Sequence, residues 1–158
     1  MLRRSENPYP AALDEVGLPV PAGIYVVSPW TDLTFTGDSM TSHVEADPSV
    51  APAQLMMHAA GYAGAHDPHD PLISPLFGNL AGLPPLLIQV GGNEVLLDDS
   101  TRLATRAAAA GVQVTLEVTP GVPHVFVTFA GVLDEADRAL TRAGQFIRES
   151  LAAAGTAD

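Results

Sequence analysis

The chain of 158 residues contains no cysteine, which excludes disulfides, thiolate nucleophiles and cysteine-ligated zinc in a single step. It is also poor in positive charge. Seven Lys and Arg stand against 18 Asp and Glu, a formal net charge of -11, and such a chain is repelled by phosphate backbones and anionic membrane surfaces. No nucleic acid and no membrane are therefore expected as partners. No run approaches the roughly 18 consecutive apolar residues of a membrane-spanning helix. The opening MLRRSENPYPAALDEVG has basic residues with no apolar stretch behind them, unlike a secretory leader. Together these absences imply a soluble, cytoplasmic protein, and the length suits one domain or part of one.

What is present is an alternation of strand-like and helix-like segments. Continuous apolar runs at Ile24 to Val27 and Leu86 to Val90 suit strands buried on both faces. By contrast, GVQVTLEVTP alternates, with Val112, Val114, Leu116 and Val118 facing one way, as a strand near a sheet edge would. DDSTRLATRAAAAG reads as a helix opened by acids or Ser100 and stopped by Gly111. VLDEADRALTRAGQFIRESLAA sets Leu133, Ala136, Leu140, Ala143, Ile147 and Leu151 on one helical face. A shorter helix is expected in APAQLMMHAAGYAG, followed by the loop AHDPHDPLISPLFGN. This order implies a parallel sheet in a three-layer α/β/α arrangement. The first strand lacks a neighbour on one side, since nothing before it reads as a strand.

In a parallel sheet, chemistry gathers where the carboxyl ends of strands meet loops. His124 follows such an end, behind a Gly-Val-Pro turn. Glu94 follows another, in QVGGNEVLLDDS. A carboxylate that accepts the Nδ1-H of a histidine fixes its tautomer and stabilises the imidazolium formed during proton transfer. Glu94 is preferred for that role because it lies nearer the strand end, with Asp98 as second choice. Asp98 and Asp99 also suit a helix N-terminus, where the dipole and capping favour acids.

Two further groups raise other chemistries. Gly37-Asp38-Ser39-Met40-Thr41 supplies only the first half of the G-x-S-x-G turn that presents a hydrolase serine. HDPHD offers His66, Asp67, His69 and Asp70 within five residues, but Pro68 and Pro71 break the helix that would align them. It reads as a solvated turn, and no metal or cofactor is expected. His43 and His58 have no suggestive neighbours.

The phrases SPWTDLTFTGDS, DPLISPLFGNLAGLPPLLIQVGGNEVLLDDS, AAAAGVQVTLEV and GVPHVFVTF together resemble the C-terminal half of the hormone-sensitive-lipase branch of α/β-hydrolases, a family of carboxylesterases and lipases. The likeness runs from about Leu13 to Leu151. It implies a carboxylic ester hydrolase with a Ser-His-acid mechanism acting on a small ester substrate. His124 would be the histidine and Glu94 the acid, where many relatives carry aspartate. In that family the nucleophile lies in a G-D-S-A-G phrase upstream of SPWTDL, with the oxyanion-hole H-G-G-G phrase further upstream, and this chain contains neither. Ser39 stands downstream of SPWTDL and is expected to be a loop residue, and Ser28 a part of the structural SPW turn.

The resemblance divides the chain into an atypical segment 1–12, a partial hydrolase domain 13–153 and a tail 154–158. MLRRSENPYPA has two prolines where relatives continue a helix, so a truncated, misannotated or frameshifted start is expected. The chain alone is expected to have little or no esterase activity. A homodimer, or a partner supplying the missing N-terminal half, is expected to cover the open strand edge. The alternative is a non-catalytic remnant that dimerises through that edge. A third reading, a metal-binding module built on HDPHD, is open to metal titration.

Overall fold

The computed structural model describes residues 18–155. The expected atypical segment 1–12 and most of the tail lie outside the described residues. Three parallel strands, β1 (Ile24–Val27), β2 (Leu86–Gly91) and β3 (Val114–Thr119), form one sheet in the order β1-β2-β3. Ile24 lies opposite Leu86, and Leu86 opposite Val114, so the three strand exits stand side by side along one rim. β2 is buried at every position, which is why it reads as an unbroken apolar run. β1 has one strand neighbour among the described residues.

Four helices, α1 (Ser39–Ser42), α2 (Pro52–Ala63), α3 (Leu97–Ala109) and α4 (Asp134–Ala154), and two 3-10 turns, Pro75–Phe77 and Phe126–Phe129, complete the described structure. Successive residues of a strand face opposite sides of its sheet. On the Ile88 side, Leu86 and Ile88 pack with Leu103, Ala104 and Ala107 of α3. On the other side, Gln89 Nε2 donates to Ala139 O of α4 at 2.9 Å. The result is the expected three-layer α/β/α arrangement. A polar ladder ties the α4 side together: Tyr25 Oη donates to Gln89 Oε1 (2.8 Å), Gln89 Nε2 to Glu117 Oε2 (2.9 Å), and Arg142 to Glu117 Oε1 (2.6 Å). α3 stops where Gly111 takes φ 83° and Val112 N-H reaches back to Ala107 O at 3.0 Å.

Two expectations about faces need correction. In α4 the buried residues are Ala136, Ala139 and Ala143, while Leu140, Ile147 and Leu151 are 41%, 44% and 61% exposed. Small alanines let the helix backbone come close to Gln89, and Ala136 and Ala139 pack with Val122 and Phe126. The larger residues beside this stripe therefore project where no described element covers them. In the third strand, Val112 is buried ahead of the strand and Val118 is exposed at its far end. The alternation is real, but its apolar side is only partly covered, as befits a strand at the sheet's rim.

The loop after β1 is clamped by two buried aspartates. Asp99, in the first turn of α3, accepts Thr31 N-H (2.7 Å) and Asp32 N-H (2.8 Å) on Oδ2. Burial pushes its carboxyl up to about 6, against the pull of those two amides. Burial alone would raise Asp32 as well. There it is outweighed by hydrogen bonds from the Thr34 and Thr36 hydroxyls, the Thr34 amide and Arg102, whose Nη1 stands 2.9 Å from Oδ2. Its pKa falls to about 2. Asp98 and Asp99 thus sit at the helix start as expected, but their side chains bind the first residue of α1 and the loop after β1 and not the start of their own helix. Among the described residues, no helix is long and apolar enough to cross a membrane.

Candidate active site

Three strand exits converge at the rim. β1 delivers Ser28, the turn after β2 delivers Glu94, and the turn after β3 delivers His124. Glu94 is wholly buried, and its Oε2 lies 2.7 Å from His124 Nδ1, whose side chain is 20% exposed. The other carboxylate oxygen, Oε1, accepts Gly91 N-H at 2.6 Å and the Ser28 hydroxyl at 2.7 Å. The two donors on Oε1 suit an ionised carboxylate, which only accepts. Nδ1 is then the protonated ring nitrogen, and Nε2 is left with its lone pair. Among the described residues, Nε2 has no hydrogen-bond partner.

The backbone explains how these groups meet. A Cβ at Gly91 would lie 2.5 Å from Val122 O and 2.6 Å from Pro123 O, so only glycine lets the segment before His124 cross the end of β2. Asn93 N-H then donates to Val122 O (3.2 Å), and Gly92 N-H to Thr119 O (2.7 Å). Ser28 and Val125 both take left-handed backbone conformations, with φ of 44° and 48°. Non-glycine residues occupy that region at a cost that the surrounding structure must offset.

Of the two acids weighed in the sequence, Glu94 bonds His124. Asp98 lies elsewhere: its Oδ2 accepts Ser39 N-H at 2.9 Å, and its amide donates to Ser39 Oγ at 3.0 Å. Ser39 Oγ in turn donates to Val95 O at 2.7 Å. The Ser39 hydroxyl is buried and fully used in joining α1 to the start of α3, so Ser39 opens a one-turn helix and is not a free loop residue. Asp47 braces the same region, accepting Val95 N-H on Oδ2 at 3.0 Å.

Within HDPHD, Asp67 accepts the His69 amide and lies 3.1 Å from His69 Nδ1, both side chains being exposed. Asp70 accepts Leu72 N-H. Each acid closes its own turn, and no group of three or more metal-ligating side chains occurs among the described residues. Sequence reasoning had placed Ser28 in the SPW turn. It does stand there, and it also touches the acid. Its position as the first residue beyond a parallel strand is the available signal.

A family model described as the alpha/beta hydrolase fold matches residues 9–128. The chain belongs to that family. Within it, this hydrolase-fold chain is 44% identical over 137 residues to an acetyl-hydrolase of Streptomyces hygroscopicus, covering 87% of this chain and 46% of that protein. It is 37% identical over 128 residues to an esterase of Acinetobacter venetianus, covering 80% and 42%. Among solved structures, an esterase from the bacterial hormone-sensitive lipase family matches with a TM-score of 0.84 and 49% identity, over 88% of this chain and 47% of that one. The resemblance to the hormone-sensitive-lipase branch is thus upheld. The chain spans about half the length of the relatives it matches.

Proposed function

We propose that His124 and Glu94 are the base and acid of a Ser-His-acid carboxylic ester hydrolase whose nucleophile lies outside this 158-residue chain. The observation that carries this reading is the 2.7 Å contact between His124 Nδ1 and a buried Glu94 that two further donors hold in place. A histidine oriented in this way takes the serine proton through Nε2, returns it to the leaving alcohol, and is stabilised as imidazolium by the acid. The names of the relatives support ester substrates, acetyl esters among them. The chain lacks a G-x-S-x-G phrase, and Ser39 is committed to three backbone and side-chain partners. The 158-residue chain alone is therefore an inactive part of the device.

Two experiments test the reading. A short-chain chromogenic ester is offered to the purified chain beside His124→Ala, and neither protein hydrolyses it; activity confined to the unmutated chain would put a nucleophile within it. This chain is also fused behind the half of the Streptomyces acetyl-hydrolase that it does not span. The fusion hydrolyses the ester, and His124→Ala and Glu94→Gln abolish or severely reduce the rate. A folded fusion that is inactive, or one indifferent to His124, sinks the assignment.

A second reading, association of two copies through β1, is favoured by one observation. β1 has no second strand partner among the described residues, and its Ile24 and Val26 line an apolar groove of about 410 Å³ together with Val20, Trp30, Leu83 and Leu103 among others. Edges of this kind pair with other chains. Sedimentation of the isolated chain is expected to give a concentration-dependent dimer, and a monomer at every concentration would remove this reading.

A further inference from the structure

We infer that Ser28 is a positioning residue that sets the acid and the base of the site against each other. The inference rests on the reading of His124 and Glu94 given above and extends it to a residue that neither strand pairing nor the hydrolase motif assigns.

One oxygen atom carries the argument. Ser28 Oγ donates to Glu94 Oε1 at 2.7 Å and accepts Val125 N-H at 3.1 Å. Val125 directly follows His124, so the hydroxyl grips the acid with its hydrogen and the histidine's own backbone with a lone pair. The His124 imidazole is thereby held from two directions. Its ring is tied to Glu94 Oε2, and its main chain is tied through Ser28 to Glu94 Oε1. The hydroxyl and Glu94 are both buried, so their bond is shielded from water and worth more than it would be at the surface.

The backbone argues that the side chain, and not the turn, is what this position requires. At φ 44° glycine is unstrained, whereas serine is not. A residue serving only to turn the chain out of β1 would be best as glycine. Serine at this φ is explained by its hydroxyl, and by the need of Val125, itself at φ 48°, for an acceptor when its amide faces the interior.

The test separates the hydroxyl from the turn. Ser28→Gly removes the hydroxyl and relieves the backbone. The readout is the His124 imidazole Nδ1-H resonance in proton NMR spectra of the 158-residue chain at neutral pH, assigned by its absence in His124→Ala, together with the thermal unfolding curve. Ser28→Gly is expected to keep a cooperative transition and to lose this resonance, or to broaden it through roughly tenfold faster exchange with water, the equivalent of one hydrogen bond to a charged group. An unchanged resonance in folded Ser28→Gly overturns the proposal. If Ser28→Gly does not fold, Ser28→Cys replaces it, since a thiol is only a weak donor; intermediate broadening supports the proposal and an unaltered signal refutes it. Glu94→Ala, which removes the acceptor, is run beside them. A resonance that survives in folded Glu94→Ala overturns the pairing of His124 with Glu94, whereas one lost there and kept in Ser28→Gly overturns the role of Ser28 alone.

Discussion

Gly91→Ala adds a single methyl group at the point where two strand exits cross. That methyl would lie 2.5 Å from Val122 O and 2.6 Å from Pro123 O, against a relaxed carbon-oxygen separation of roughly 3.3 Å. Both oxygens belong to the main chain, so no side chain can swing aside; the segment leading to His124 must retreat by about 0.8 Å. The Asn93 to Val122 hydrogen bond, already 3.2 Å long, is lost first. Overpacking costs about 1–3 kcal/mol, and the lost bond about 1 kcal/mol more, for an expected destabilisation of about 2–4 kcal/mol. With a urea m-value of about 2 kcal/mol/M, the unfolding midpoint falls by about 1–2 M. Gly61→Ala is the control: it lies inside α2 with nothing within 4 Å of the added carbon, and it should gain roughly 0.5–1 kcal/mol. A Gly91→Ala midpoint equal to that of the unmutated chain, at unchanged m-value, would refute the claim that glycine is required for this crossing.

Other perturbations separate the roles of the buried acids. Glu94→Ala strands the Gly91 amide and frees the Ser28 hydroxyl, and should cost roughly 2–4 kcal/mol; Glu94→Gln keeps an oxygen in place and should cost about 1 kcal/mol. Equal losses in urea titrations would mean that the carboxylate's charge, and not its Oε1 contacts, is what the interior requires. Asp99, raised to about 6 in the folded chain against about 4 unfolded, makes the folded state the better proton binder. Its effect on stability therefore improves as pH falls from about 7 to about 4. Asp32, lowered to about 2, contributes stability that is complete above its unfolded value of about 4 and is lost as pH falls through about 2. Melting temperature followed against pH should flatten at the upper limb in Asp99→Asn and at the acid limb in Asp32→Asn; the reverse pattern would contradict the two assignments.

The strands and the long helices were legible because their signals are local. Ile24 to Val27 and Leu86 to Val90 are apolar on successive residues, and both runs form parallel strands; Leu86 to Val90 is buried on both faces as that pattern implies, whereas Ile24 to Val27 is only half-buried, because β1 has one strand neighbour among the described residues. The contact between His124 and Glu94 is partly legible because both follow strand ends, and it is Glu94, closer to its strand than Asp98, that lies against the histidine. Ser28 was read only as a turn residue, because its second role depends on Glu94 and Val125, 66 and 97 residues away in the chain. The exposed side of α4 was illegible for a related reason. Leu140, Ile147 and Leu151 have the spacing of a buried stripe, and spacing carries no information about whether a neighbour stands opposite. Asp98 and Asp99 looked like helix-cap acids, and only the tertiary structure turns them toward Ser39 and Thr31.

The rim bonds have a temporal consequence. Ser28 Oγ joins residues separated by 66 and 97 positions, and His124 reaches Glu94 across 30. None of these bonds can form from local collapse. Each requires that neighbouring parallel strands first find their register, the slow, loop-closing part of folding. Slippage of one strand by a single residue turns its side chains to the opposite face and would carry Ser28 away from Glu94. The hydroxyl, carboxylate and imidazole therefore work as a clasp that fastens late, and it closes only on a chain whose three strands are already correctly threaded.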